Sequence, residues 1–132
     1  MKKEMVAALV IRDKRILMVH NVKDGLRIEP PGGKRKEGEE WVIAVIREVQ
    51  EELGCLVRPA RLFGEYDTHS PEGEFIVRMY LSEITDGEPE VMEPEKVPAF
   101  GWYTCAELEK FRAEGTLVPN MAAALPKLKR YL

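Results

Sequence analysis

Between Pro30 and Cys55 the chain runs PPGGKRKEGEEWVIAVIREVQEELGC, and no other stretch limits so sharply what it can fold into. Two prolines followed by two glycines make a stiff approach and then a backbone able to pass close to other groups. From Glu40 to Leu53 apolar residues recur at helical spacing, and Gly54 suits the C′ position that ends a helix. At about 100° per residue, Val42, Val45, Val49 and Leu53 form the core stripe, with Ala44 and the carboxylates on an adjacent arc. Glu48, Glu51 and Glu52 stand at i, i+3 and i+4, a spacing that places three like charges on one face. Such charges destabilise an isolated helix, so a compensator is expected. A hard divalent cation takes oxygen ligands and leaves room for phosphates. Arg47, four residues before Glu51, can pair with or orient that carboxylate.

Around this segment, strands alternate with helices. Met5–Ile11 and Arg15–His20 flank the polar turn Arg12-Asp13-Lys14 as a hairpin. Leu26–Glu29 is a short extended piece. Leu56–Tyr66 and Glu74–Ile84 read as strands joined by a loop, Asp67–Gly73. In the second, Phe75, Val77, Met79 and Leu81 share one face and Ile76, Arg78 and Tyr80 the other. A long acidic loop, Asp86–Pro98, precedes a last strand, Phe100–Tyr103. Thr104 with Glu107 forms a capping box for a helix to about Glu114. A final helix spans about Asn120 to Tyr131, bent or divided at Pro126. The expectation is an α/β (α+β) fold, with 1–132 as one domain.

At 132 residues the chain is long enough for a sizeable core, and its net charge of −3 argues against a nucleic-acid polymer or an anionic membrane as partner. An anionic small molecule would need local positive charge or metal. Cys55 and Cys105 make neither a disulfide framework nor a metal cluster, and are expected as buried free thiols in a reducing cytoplasm. The apolar run Met5–Ile11 is too short for a leader segment or a membrane span. Its pairing with a second copy would give a homodimer, although apolar strands are usually interior.

Gly33, Glu39, Arg47, Glu48, Val49, Glu51, Glu52 and Gly54 match, at every spacing, the Nudix box G-x5-E-x7-R-E-U-x-E-E-x-G-U, where U is bulky and apolar. Only Cys55, smaller than the usual aliphatic, departs from it. The chain thus resembles MutT-like Nudix hydrolases through a box spanning 33–55. The resemblance implies a mixed sheet sandwiched between helices and hydrolysis of a nucleoside diphosphate linked to another moiety. It also implies Mg²⁺, with Mn²⁺ as a substitute, held by Glu48 and Glu52. Glu51 is then a further ligand or the general base, oriented by Arg47. Glu39 joins through water, and the Gly33 carbonyl is a backbone ligand. By the same resemblance Glu95, in the loop after the box, reaches back to the metals or the water, against the alternative of an exposed loop charge. Asn120 reads a purine edge, against the alternative of a helix N-cap.

Further substrate-binding candidates are Lys34, beside Arg35 and Lys36, and the strand pair Arg78 and Tyr80. Each is weighed against a solvated rim or a half-exposed strand. The expected reaction is hydrolysis of a nucleoside triphosphate, such as an oxidised purine like 8-oxo-dGTP, to nucleoside monophosphate and pyrophosphate. The rival enzyme reading is hydrolysis of ADP-ribose or a dinucleoside polyphosphate, for which Pro71 is the relevant residue. Ser70-Pro71-Glu72-Gly73 is also an ordinary turn. A non-catalytic nucleotide sensor is the rival of another class, and the intact carboxylates argue against it.

Overall fold

The computed structural model describes residues 2–132. Strands β1 (Lys3–Arg12) and β2 (Arg15–Asn21) meet at Asp13-Lys14, both with positive φ (52° and 61°). This is the two-residue turn whose twist suits a hairpin. The expected hairpin is present, but only Ile11 with Ile16 and Arg12 with Arg15 pair across it. Beyond them the strands part. β1 runs parallel to β6 (Gly73–Asp86) and, over Met5–Ala7, antiparallel to β4 (Gly32–Lys34). β2 pairs instead with β3 (Arg27–Glu29) and β7 (Ala99–Tyr103). With β5 (Leu56–Ser70) beyond β6, the main path of the mixed sheet is β3-β2-β1-β6-β5. Flanked by β6 on one side and by β4 and β2 on the other, β1 keeps no strand-length edge for a second copy.

Alternation along β1 builds two cores. Val6, Ala8 and Val10 join Ala44, Val45, Val49 and Leu53 of helix α1 (Trp41–Leu53). Ala7 and Leu9 join Leu108 of α2 (Cys105–Glu114) and Met121, Leu125 and Leu128 of α3 (Pro119–Leu128). The sheet is therefore a layer between helices, as expected, and each fully buried Leu or Met side chain stabilises it by roughly 1.5–3 kcal/mol. The capping box at α2 is complete: the Glu107 N–H donates to Thr104 Oγ1 (3.2 Å) and the Thr104 N–H to Glu107 Oε1 (2.9 Å). Gly54 closes α1 at φ 70°. Among the described residues no helix is long and apolar enough to cross a membrane.

Several expectations need correction. Val42 is exposed (38%), because it lies in the first turn of α1, where Trp41 covers the sheet, stacked by Arg35 and Arg78. The loop Asp67–Gly73 is mostly strand: β5 runs to Ser70 and β6 starts at Gly73, leaving Pro71-Glu72 as the turn. Pro59 sits in β5, an edge strand whose pairing shifts register nearby, as a missing N–H requires. Asn120 does not cap α3: Val118 is the N-cap and Pro119 the first helical residue. Pro126 does not divide that helix, which tightens into a 3-10 turn only at Lys129–Tyr131. Cys55 is buried, Cys105 only partly so.

Candidate active site

The glycine loop and α1 touch because two side chains are missing. A Cβ on Gly32 would lie 2.0 Å from the Val6 carbonyl oxygen, and one on Gly33 would lie 2.3 Å from Glu48 Oε2. With both absent, β4 pairs with β1 while the helix carboxylates close over it. The Gly32 N–H donates to Glu52 Oε1 (3.2 Å).

The three helix carboxylates do not share one environment. At about 100° per residue, Glu51 and Glu52 diverge by a quarter turn, and Glu52 falls inside the buried arc bounded by Ala44 and Leu53. Glu52 is 2% exposed, and burial, reinforced by nearby Glu29 and opposed by Lys96, pushes its carboxyl up to about 8. Glu48 is half-buried and also raised, first by burial, against the pull of Arg47. Glu51 is half exposed and bonded to Arg47.

Arg47 gathers what lies outside. It donates through Nε to Glu39 (2.7 Å), through Nη2 to Glu39 (2.9 Å) and the Lys34 carbonyl (3.0 Å), and through Nη1 to Glu48 and Glu51 (2.8 Å each). The charge-assisted fork ties loop to helix. It also drives the Glu39 carboxyl down to about 2.

Inward of this knot lies a cavity of about 240 Å³. Glu29, Glu48 and Glu52 line it, together with Gly32, Gly33 and Lys96. Lys23, Arg27 and Lys34 give it a basic part, shared with Asp24 and with Glu72, which pairs with Lys34 (3.0 Å) and Lys23 (3.5 Å). Met5, Ala7, Phe75, Val77 and Val118 give it apolar wall, and Thr68 and Asn120 are among its polar lining. Asn120 is 6% exposed, and its Nδ2 donates to Met79 Sδ (3.5 Å).

Of the residues singled out from sequence, the fold brings Gly33, Lys34, Glu48, Glu52 and Asn120 to this cavity. Glu39, Arg47 and Glu51 form the adjacent knot. Glu95 is exposed and does not line the cavity; its neighbour Lys96 does, in a loop pinned where the Lys96 N–H donates to the Glu93 carbonyl and the Lys96 carbonyl accepts from the Val22 N–H. Arg78 and Tyr80 do not line it either. Arg78 is held by Glu65 (2.9 Å) and by the Trp41 ring (4.0 Å), and Tyr80 is buried against α1. Sequence reasoning missed Glu29 and Lys96. The only signal for Glu29 is its place just before the Pro-Pro-Gly-Gly run. Glu29 accepts from Asn21 Nδ2 (2.8 Å), and burial raises its carboxyl.

The donor set suits a hard cation: buried carboxylates, facing one another without enough positive charge, favour a divalent ion over protons. In Glu48 and Glu52 alike the bonded oxygen is Oε1, so Oε2 is unclaimed by those bonds. Among the described residues no three acidic, histidine or cysteine side chains are already drawn into a closed cage.

A model of the NUDIX domain matches residues 1–128. The chain is 33% identical, over 94 residues covering 67% of it and 73% of the relative, to the 8-oxo-dGTP diphosphatase of Escherichia coli. Its fold is similar to that of a MutT NUDIX hydrolase from Burkholderia pseudomallei, with TM-score 0.75 and 30% identity over 80% of this chain and 85% of that one. A MutT protein from Methanosarcina mazei shares the fold more completely, at TM-score 0.80 over 98% and 94% of the two chains, with 19% identity.

Proposed function

The chain belongs to the NUDIX family and is a MutT-like pyrophosphohydrolase, and we propose from that premise that it hydrolyses a nucleoside triphosphate to nucleoside monophosphate and pyrophosphate. The observation that carries the reading is one cavity joining buried carboxylates, a basic part and a buried amide. Such a site offers something to each section of a nucleotide: oxygen donors for a cation, Lys23, Arg27 and Lys34 for phosphates, and Asn120 for a base edge. An oxidised purine such as that of 8-oxo-dGTP, the substrate named for the E. coli relative, is the base we test first.

Nudix hydrolases generally use divalent ions, and here Mg²⁺, or Mn²⁺ in its place, would be held by Glu48, Glu52 and the Gly33 carbonyl, with Glu29 adjacent. When bound, the ion supplies charge neutralisation for the phosphate oxygens. Arg47 is a positioning residue: it aligns Glu48 and locks the loop through Glu39 and the Lys34 carbonyl. Glu51 belongs to the same positioning set, since its bond is to Arg47 and it does not line the cavity. Pro71 occupies a tight turn with Glu72, so the residue relevant to an ADP-ribose hydrolase has a structural duty here.

A turnover panel with Mg²⁺ tests the reading, using common and oxidised nucleoside triphosphates, ADP-ribose and diadenosine polyphosphates, with Glu52→Gln as the blank. Monophosphate plus pyrophosphate from a triphosphate is expected. AMP from ADP-ribose or a dinucleotide alone would move the protein to the rival branch. Tight binding of nucleotide with no turnover would make it a sensor.

A further inference from the structure

Thr68 stands on β5 at an inward position, on the sheet face where Phe63, earlier on the same strand, packs with Val77 and Met79 of β6. It is 9% exposed and lines the cavity, and its Oγ1 is the one fully buried side-chain polar atom among the described residues without a hydrogen-bond partner. An unpaired buried hydroxyl costs about 1–3 kcal/mol, whereas valine would fill the same volume at no such cost. A polar group kept at that cost is expected to have a use when the site is filled. Its surroundings say what kind. Across the strand pair lies Phe75, and Val77 follows, paired in turn with Met5 of β1. These apolar side chains make a wall for the faces of a flat ring. The hydroxyl can both donate and accept. Rotation about Cα–Cβ to another staggered position turns the hydroxyl to a new direction, so presenting it to a ligand moves no backbone.

We propose that Thr68 is a specificity-determining residue, its hydroxyl bonding the edge of a nucleobase held in the same cavity as Asn120. The proposal rests on the nucleotide reading above and names a second polar contact to the base. A site that hydrogen-bonds its ligand loses affinity when one partner is deleted, while an idle hydroxyl loses nothing.

Thr68→Val and Thr68→Ala remove the hydroxyl, and Thr68→Ser keeps it. Binding of the deoxynucleoside monophosphates of the four common bases and of 8-oxoguanine is measured by calorimetry without metal, beside kcat, KM and melting temperature. Thr68→Val is expected to raise Kd and KM of the preferred base about 10-fold or more and to flatten the ranking of bases. Its kcat should move less, its melting temperature should hold or rise, and Thr68→Ser should retain the preference. Unchanged Kd and ranking in both hydroxyl-free variants, against a wild type that binds and hydrolyses nucleotides, would overturn the Thr68 inference alone. A wild type that neither binds these monophosphates nor hydrolyses any triphosphate would overturn the functional reading with it.

Discussion

Two groups of glutamates, drawn largely from one short segment, live in opposite conditions. Glu39, with Glu51 and one oxygen of Glu48, shares the guanidinium of Arg47, and its carboxyl is held down to about 2. Glu52, beside Glu29, is buried without such a partner, and its carboxyl is pushed up to about 8. The first group is complete as the protein stands and braces the loop against the helix. The second stores an unmet demand for positive charge, which is what a cation site looks like before it is filled. Similar residues thus build scaffold on one side and function on the other, separated by a quarter turn of helix.

The sharpest way to break this contrast is Glu52→Gln. Turnover should fall by about 10³-fold or more, while the metal-free protein at pH 8 should melt several degrees higher, because a neutral amide relieves the buried charge. Loss of turnover together with loss of stability would place Glu52 in the scaffold instead. Arg47→Ala should act on the other group. We expect about 10²-fold lower turnover and a loss of roughly 2–4 kcal/mol in urea unfolding, since partly buried carboxylates lose their shared partner. Stability equal to wild type would show that the knot braces nothing.

Acidity should separate the two groups by sign. Glu52 binds its proton more tightly folded than unfolded, so its contribution to metal-free stability is present below about pH 4.5 and lost as pH rises through about 8. Glu39 does the reverse, contributing above about pH 4.5 and losing it as pH falls through about 2. Thermal melts in chelator from pH 5 to 9 should therefore decline more steeply in wild type than in Glu52→Gln, and Mg²⁺ should flatten the wild-type decline. Identical slopes for the two proteins would refute the assignment. The smallest effect belongs to Glu95→Gln, less than twofold in turnover, because the side chain is exposed and outside the cavity. A larger fall in steady-state assays would mean that the loop carries Glu95 inward.

Local chemistry made much of this legible from sequence. The loop and helix at Gly33–Leu53, the Asp13-Lys14 turn and the Thr104–Glu107 box are written in residues a few positions apart, so their geometry is decided nearby. The missed features depend on distant partners. Thr68 looks like loop because a polar residue holds the inward place of the strand pattern, and only pairing with Phe75 reveals the strand. Asn120 looks like a cap until Pro119, fixed in φ, takes the first helical position. Glu29 and Lys96 carry no motif at all. They matter only because β3 and the acidic loop converge on α1. The Glu48–Glu51–Glu52 triplet is legible as three charges near one another, but the burial that separates their environments depends on partners beyond the helix.

The hairpin that opens the chain works like a pair of calipers. Its two closed pairs at Ile11–Ile16 and Arg12–Arg15 are the pivot, and Met5–Ala7 on one arm and Asn21 at the end of the other both border the cavity. From Ile11 to Met5 the arm is about 20 Å long, so opening the pivot by roughly 5° would shift its tip by about 1.7 Å. Each arm is clamped by another strand, Lys3–Val10 by β6 and Ile16–His20 by β7, so the sheet holds the gauge of the gap in which a substrate has to fit.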